Sequence, residues 1–549
     1  MNSSPPKPLV LIVLDGWGLA PPNKGNAVTL AKTPNFTRYW SSFPHTQLAA
    51  SGEEVGLPRA EEGNSEVGHI NLGAGTIVYQ DLPRINIDIA DGSFFEKPAF
   101  LAVANHVKQF NSRLHLMGLL GAGGVHSSLE HIFALLQFAK KENIEKVFLH
   151  LFTDGRDSPP TSAPLYLREV ENECRELGVG EIATVCGRYF AMDRDLRWER
   201  TKRAYEAIAK GIGETAASSL EAVQKSYGQK RTDEFVLPTV IVKDGKPIAQ
   251  VSDNDGVIFF NFRIDRPRQL TEAFVFPEFE TMVREKISFD PYAEKYYKKT
   301  YAPTSSYKIQ TFSRGPKIPN LFFVTMTRYE DGLPVEAAYP PIEVETPLAK
   351  VLFDKGLRQL HLAETEKERF VTYYFDGQRE MNFPGEDWVE IPSPQEVPTY
   401  DLKPEMSAFE VKDYLLQKVK EQAFNFILVN FANPDMVGHT GVLEAGIKAC
   451  EIVDDCLGQI VNEVLQQKGA CIITADHGNV EEMINLQTGE VDTEHSTNPV
   501  PFIFVSEEFR DRPRELPEGI LADVAPTILS VLGIEKPTEM LGKNLLEVS

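Results

Sequence analysis

Cysteine is scarce and never closely paired. Five cysteines (Cys174, Cys186, Cys450, Cys456, Cys471) are scattered through 549 residues without a CxxC spacing. This argues against a disulfide framework or a thiolate metal site and fits a reduced cytoplasm. Long apolar runs are missing as well. The run LVLIVL at 9–14 has only six residues and ends in Asp15, too short for a signal-peptide core or a membrane span. There is no low-complexity tail and no short internal repeat. Positive charge is in deficit, with 56 Lys and Arg against 79 Asp and Glu, a formal net charge of −23. Such a chain is a poor partner for nucleic acid or an anionic membrane. An anionic substrate would require the basic residues to be concentrated locally.

A chain of 549 residues exceeds one ordinary core and predicts two large domains. Its short apolar runs each lead at once into reactive polar residues. LVLIVLDGWG reaches Asp15, FNFILVNFANPDMVGH (424–439) reaches Asp435 and His439, and ACIITADHGN (470–479) reaches Asp476 and His477. Continuous apolar runs of this length read as strands buried on both faces of a parallel sheet. Helical segments at 407–422 and 443–467 alternate with them. The pattern predicts α/β architecture, with two doubly wound domains whose ligands bind beyond the carboxyl ends of the strands. A second set of runs ends in basic residues. Those at 113–126, 146–157, 181–195 and 256–269 deliver His126, Arg156 with Asp157, Arg188 with Arg194, and Arg263 with Arg266. We therefore expect a discontinuous metal domain over 1–80 and 312–549, with an inserted anion-binding domain over 81–311. The stretch 277–311, rich in Tyr, Lys and Pro, reads as a surface insertion.

The acidic set has the composition of a metal centre. Asp435 and His439 are four apart and face the same way on one helical turn. Asp476 and His477 are adjacent at a strand end, and His495 precedes the apolar run PFIFV. Three carboxylates and three imidazoles without thiolate suit Mn, Zn or Fe(II), and six such groups are enough for two ions. Each pair alone has a plainer reading as a structural contact; the case rests on all of them meeting at one sheet edge. The loop EEGNSEVGHINLGAG (61–75) presents Ser65 among glycines. No histidine or lysine just before it offers a base, but a bound divalent ion would acidify its hydroxyl. Read alone, the same loop is a tight turn with a capping serine. Arginine forks match phosphate oxygens, so Arg156, Arg188, Arg194, Arg263 and Arg266 point to a phosphate ester. Asp157 would orient an arginine or hold a substrate hydroxyl. His126 would donate a proton or touch phosphate. His115, His150 and His361 lie inside apolar runs and are expected to be core or edge histidines.

The motifs LDGWG, GNSEVGHINLGAG, GGVHS, DGRD, GRYFAMDRD, FNFRIDR, AETEK, NFANPDMVGHTG, TADHGN and EHSTNPVP together resemble the cofactor-independent phosphoglycerate mutases of the alkaline phosphatase superfamily. They span nearly the whole chain in order. The resemblance implies a cytoplasmic, monomeric isomerase of glycolysis and gluconeogenesis. It would interconvert 3-phosphoglycerate and 2-phosphoglycerate through a phosphoserine at Ser65, using two Mn²⁺ or similar ions (Co²⁺, Zn²⁺, Mg²⁺) and no bisphosphoglycerate. It assigns Asp15, Ser65, Asp476 and His477 to one ion, and Asp435, His439 and His495 to the other. It sets His126, Arg156, Asp157, Arg188, Arg194, Arg263, Arg266 and Lys367 around the substrate. Without it, Lys367 reads as a surface lysine. The alternative is another metal-dependent phosphomutase or phosphatase of the same superfamily.

Overall fold

The structure is a computed structural model that describes residues 5–286 and 307–547. It divides into two compact units, residues 1–80 with 342–549, and residues 81–341. Each is built on a mixed, mostly parallel sheet.

In the first unit the sheet order is Glu386–Ile391, Gln359–Glu364, Phe426–Phe431, Leu9–Leu14, Ala470–Thr474, Val500–Val505, Pro44–Ala49, Arg514–Glu515. The strands from Glu386–Ile391 to Ala470–Thr474 run parallel. Every residue of Leu9–Leu14, Phe426–Phe431 and Ala470–Thr474 is buried. This is why these segments read as unbroken apolar runs: helices cover both faces of the sheet. One of them, Leu443–Gln466, buries Ala449, Cys450, Val453, Cys456, Leu457, Ile460, Val461 and Val464, an apolar stripe at helical spacing. The opposite helix end, at Pro34–Ser42, is tied to it by Asp454, whose carboxylate accepts from the backbone N–H of Asn35 (3.1 Å) and Phe36 (2.7 Å). Val500–Val505 runs antiparallel to its neighbour, and Pro44–Ala49 antiparallel to it in turn.

In the second unit the order is Glu336–Tyr339, Phe322–Thr327, Gly256–Phe259, Leu114–Leu120, Val147–Thr153, Glu181–Gly187, Thr239–Lys243, Glu214–Ala216. Strand alternation splits its core in two. Leu114, Leu116 and Leu120 join one apolar cluster while Met117 and Leu119 join the other.

The expected crossing at 312 is corrected by this sheet. Phe322–Thr327 pairs with Gly256–Phe259, and Glu336–Tyr339 pairs with Phe322–Thr327. Backbone pairing thus carries the second unit to Pro341. The expected insertion at 277–311 lies mostly outside the described residues. Its described ends, Val283–Lys286 and Tyr307–Gln310, form an antiparallel ribbon. No helix among the described residues is long and apolar enough to cross a membrane.

Candidate active site

The first unit brings its acids and imidazoles to one edge of the sheet. Asp15 directly follows Leu9–Leu14, and Asp476 and His477 follow Ala470–Thr474. Asp435 and His439 lie on and just past the short helix Asn433–Gly438, after Phe426–Phe431. His495 comes before a strand, yet it reaches the same edge, because Val500–Val505 is antiparallel and begins where Ala470–Thr474 ends. Ser65 is the first residue of helix Ser65–Ala74, which is capped by Asn64 through Val67 N (3.0 Å). That helix start is pressed against the sheet edge at Gly68, where a Cβ would lie 2.6 Å from the Asp476 carbonyl oxygen. Gly16 carries the turn after Asp15 at φ +73°, and a Cβ there would strike Asp435 at 2.8 Å.

The hydroxyl of Ser65 lies 2.9 Å from His477 Nε2. His477 Nδ1 faces the Gly478 carbonyl (3.2 Å), which can only accept, so Nδ1 carries the proton and Nε2 accepts from Ser65. Lys367 Nζ donates to Ser65 Oγ (2.7 Å), Asp15 Oδ1 (2.6 Å) and Asp435 Oδ2 (2.6 Å). Lys367 is therefore no surface lysine; it is buried at 3% exposure.

The donor set fits divalent cations. His439 Nδ1 donates to Thr493 O and His495 Nδ1 to Gly63 O, both at 2.8 Å. Backbone carbonyls thus fix all three imidazoles through Nδ1 and turn their Nε2 atoms toward the carboxylates and Ser65, the usual arrangement around a ligating histidine. The Nε2 atoms of His439 and His495 face each other at 3.1 Å. Asp435 Oδ1 lies 3.2 Å from one and 3.3 Å from the other. At the second pole His477 Nε2 lies 3.6 Å from Asp15 Oδ1 and 3.5 Å from Asp476 Oδ2. Asp476 Oδ2 is buried and accepts no hydrogen bond. Asp15, Asp435 and Asp476 are buried around the Lys367 ammonium, leaving negative charge in excess. Burial, Asp476 and Asp435 push the Asp15 carboxyl up to about 7 against the pull of Lys367. Burial also works to raise Asp435, but Lys367 and His439 hold it well below the usual range.

Another group, His361 with Asp376 and Glu386, is also within ligand spacing but has different chemistry. His361 Nδ1 donates to Val371 O (2.8 Å). Burial and the neighbouring Glu386 push the Asp376 carboxyl far up. His115 and His150 hydrogen-bond each other at 2.9 Å in the core.

In the second unit the basic residues follow the carboxyl ends of the parallel strands. Arg188 is buried and donates to Asp154 Oδ1 (2.6 Å) and to Asp157. Asp265 pairs with Arg194 (2.6 Å) and Arg263 (3.2 Å). His126 Nε2 lies 3.7 Å from Asp157, and Nδ1 3.7 Å from Asp265. Burial and the Arg188 charge hold its imidazole at about 4, so it is neutral at pH 7. Arg266 donates to Met192 O (3.2 Å). Burial and the charges of Arg188 and Arg194 bring it down to about 10. Arg156 is exposed on the same strand-end turn as Asp157.

Sequence reasoning passed over several residues. His69 Nδ1 donates to Ser65 O (3.0 Å) beside Asp476 Oδ2 (3.2 Å). Asn430 donates to Asp15 Oδ2 (2.6 Å) and to His69 Nε2 (3.1 Å). Asn479 donates to Asp435 Oδ1 (2.9 Å). A signal existed for two of them: His69 is four residues after Ser65 on one helix face, and Asn430 is an amide inside an otherwise apolar strand.

The chain has close counterparts. The family described as BPG-independent PGAM N-terminus matches residues 85–331. A 2,3-bisphosphoglycerate-independent phosphoglycerate mutase of Chloroflexus aggregans is 52% identical over 544 residues, covering 98% of this chain and 99% of that one. One of the same name from Clostridium acetobutylicum is 49% identical over 542 residues, with 98% and 99% covered. The crystal structure of Leishmania mexicana phosphoglycerate mutase at low cobalt concentration aligns over 100% of this chain and 99% of that one, at 29% identity and a TM-score of 0.58. On identity sustained over nearly its whole length, the chain belongs to the 2,3-bisphosphoglycerate-independent phosphoglycerate mutase family.

Proposed function

We propose that the protein interconverts 3-phosphoglycerate and 2-phosphoglycerate by passing the phosphate through Ser65, with two divalent ions and no bisphosphoglycerate. The observation that carries this reading is the setting of Ser65 Oγ. It lies at a helix N-terminus, bonded to His477 Nε2 and Lys367 Nζ, within the ring of Asp15, Asp435 and Asp476. Ser65 Oγ would lose its proton and attack phosphorus while the substrate's ester oxygen leaves and takes up a proton; His477 Nε2, 2.9 Å from Oγ, would act as a metal ligand and not as the base. Lys367 can follow the negative charge from Oγ onto the phosphoryl oxygens. A phosphate on Ser65 is favoured by the helix N–H groups. Asp15, Ser65, Asp476 and His477 would hold one divalent ion and Asp435, His439 and His495 a second; bound at the first set, an ion would supply Lewis acidity that eases loss of the serine proton. In the second unit Arg156, Arg188, Arg194, Arg263 and Arg266 bind the acid part of the substrate, with Asp157 holding Arg188 in place and Asp265 holding Arg194 and Arg263. His126, neutral, offers a hydrogen bond to a substrate oxygen. Five free, buried thiols suit the reducing cytoplasm.

Two assays run side by side test the reading. With 3-phosphoglycerate and MnCl₂ but no bisphosphoglycerate, an enolase-coupled assay is expected to report 2-phosphoglycerate, while free phosphate appears far more slowly. Phosphate release without mutase product would make the protein a phosphatase instead.

The arginine cluster makes its own prediction. A charge-assisted hydrogen bond contributes roughly 1.5–3 kcal/mol, so Arg266→Ala is expected to cost about ten- to a hundredfold in kcat/KM. Parent-like kinetics in both Arg266→Ala and Arg263→Ala would make this cluster a solvated face.

A further inference from the structure

We infer that Glu481 is a positioning residue for the metal ligands, acting through the three loops that carry them. The inference rests on the two-ion reading above. Glu481 is fully buried, and each of its oxygens takes two donors. Oε2 accepts from Gly18 N (3.0 Å) and Asn479 N (2.9 Å). Oε1 accepts from Ser496 Oγ and from Asn498 Nδ2 (3.0 Å).

These donors lie next to the proposed ligands. Gly18 is three residues past Asp15, Asn479 two past His477, and Ser496 directly follows His495. Asn479 extends the link to a fourth ligand, since its side chain donates to Asp435 Oδ1 (2.9 Å). The loops also touch one another, with Ser496 N bonded to Gly478 O (3.0 Å).

The carboxylate is required by its donor count. A carboxylate accepts at both oxygens, whereas an amide turns one end into a donor. Glutamine with its NH₂ toward Gly18 N and Asn479 N would oppose two backbone donors, and in the reverse orientation it would oppose Asn498 Nδ2, while the Ser496 hydroxyl can turn to accept. The packing leaves no second solution. A Cβ on Gly18 would lie 2.2 Å from the Glu481 carboxyl carbon, and one on Gly478 would lie 2.4 Å from Oε1. No Lys, Arg or His forms an ion pair with Glu481 among the described residues. A buried charge supported only by neutral donors is costly. Here it sets the mutual spacing of Asp15, His477 and His495.

The experiment is a calorimetric titration of chelator-treated protein with MnCl₂, for the parent chain, Glu481→Gln, Ser496→Ala and Val461→Ala, alongside the melting temperature of each in excess EDTA. Glu481→Gln is expected to bind Mn²⁺ about 10- to 100-fold more weakly, the range for a partner that orients a ligand. Its melting temperature in EDTA is expected to fall as well, since the buried amide would face hydrogen-bond donors. Ser496→Ala, which removes one donor, is expected to show a smaller loss of the same kind. Parent-like Mn²⁺ affinity in Glu481→Gln overturns the inference. So does an equal loss of Mn²⁺ affinity in Val461→Ala, a core variant of helix Leu443–Gln466, at a comparable fall in EDTA melting temperature, because the loss then follows stability alone. If Glu481→Gln does not fold, Ser496→Ala decides: weaker Mn²⁺ binding at the parent's melting temperature supports the role, and unchanged binding overturns it. A parent chain that binds no Mn²⁺ overturns the two-ion reading and takes this inference with it.

Discussion

Ser65→Ala is expected to fold, to retain bound metal and to lose on the order of 10⁴-fold or more in mutase rate, the scale seen when a nucleophile is removed. The hydroxyl is the atom on which the local geometry converges. It is buried at 6% exposure, with an imidazole acceptor at 2.9 Å and an ammonium donor at 2.7 Å. The fold should survive, because Asn64 rather than Ser65 caps the helix. Metal should be retained, because the carboxylates and imidazoles remain. Acid-quenched parent protein turning over phosphoglycerate should carry a phosphoryl group on the peptide containing Ser65, and the variant should not. Near-normal mutase activity in Ser65→Ala would end the phosphoserine mechanism and leave the arginine cluster's role standing.

Chelation is the second large effect. Excess EDTA should abolish activity and added Mn²⁺ should restore it, with no phosphorylated cofactor required. The imidazole orientation is the reason. With each Nδ1 committed to a carbonyl, three Nε2 atoms and the oxygens of Asp15, Asp435 and Asp476 face inward. The Lys367 ammonium cannot balance three buried carboxylates once a phosphate joins them. Acid should act like a chelator, since protons compete for the same atoms. The sign is loss of metal as pH falls through the imidazole range near ~6.5. The loss should begin at His439, which Asp435 raises above its ordinary value despite burial. His495 should hold out longer, because burial and His477 keep it low. Metal content by elemental analysis and activity should decline together. Full activity in chelator with no bound metal would sink the two-ion reading.

The strands were legible because the central ones are buried on both faces, and only unbroken apolar residues satisfy that position. LVLIVL, FILVNF and ACIIT each form a strand of the first sheet. Pro44–Ala49 was not legible: it is half-buried, with polar residues alternating through PHTQLA. The second crossing was misread at 312 because Phe322–Thr327 and Glu336–Tyr339 are short. Their place in the second sheet depends on pairing with a strand more than sixty residues earlier in the chain. In the candidate site, reactive residues at strand ends stood out against apolar runs. Their supports stood out less: Asn479, Asp265 and Glu481 look like ordinary polar residues in any local window, and only His69, on the helix face of Ser65, and Asn430, inside an apolar strand, left a signal.

By itself the sequence determined the α/β class, the strand ends where the chemistry sits, and the order of the motifs that mark the family. Only the tertiary structure decided which groups meet. No histidine or lysine just before Ser65 offers a base, yet His477, 412 residues later, lies at hydrogen-bond distance. Lys367 becomes a buried counter-charge rather than a surface lysine, and His495 joins the ligands because its strand runs antiparallel. Apolar periodicity is a local property, set by which face of each element is buried. Proton position, counter-charge and ligand spacing depend on which strands pair and how their loops pack, and those contacts form only when distant segments come together.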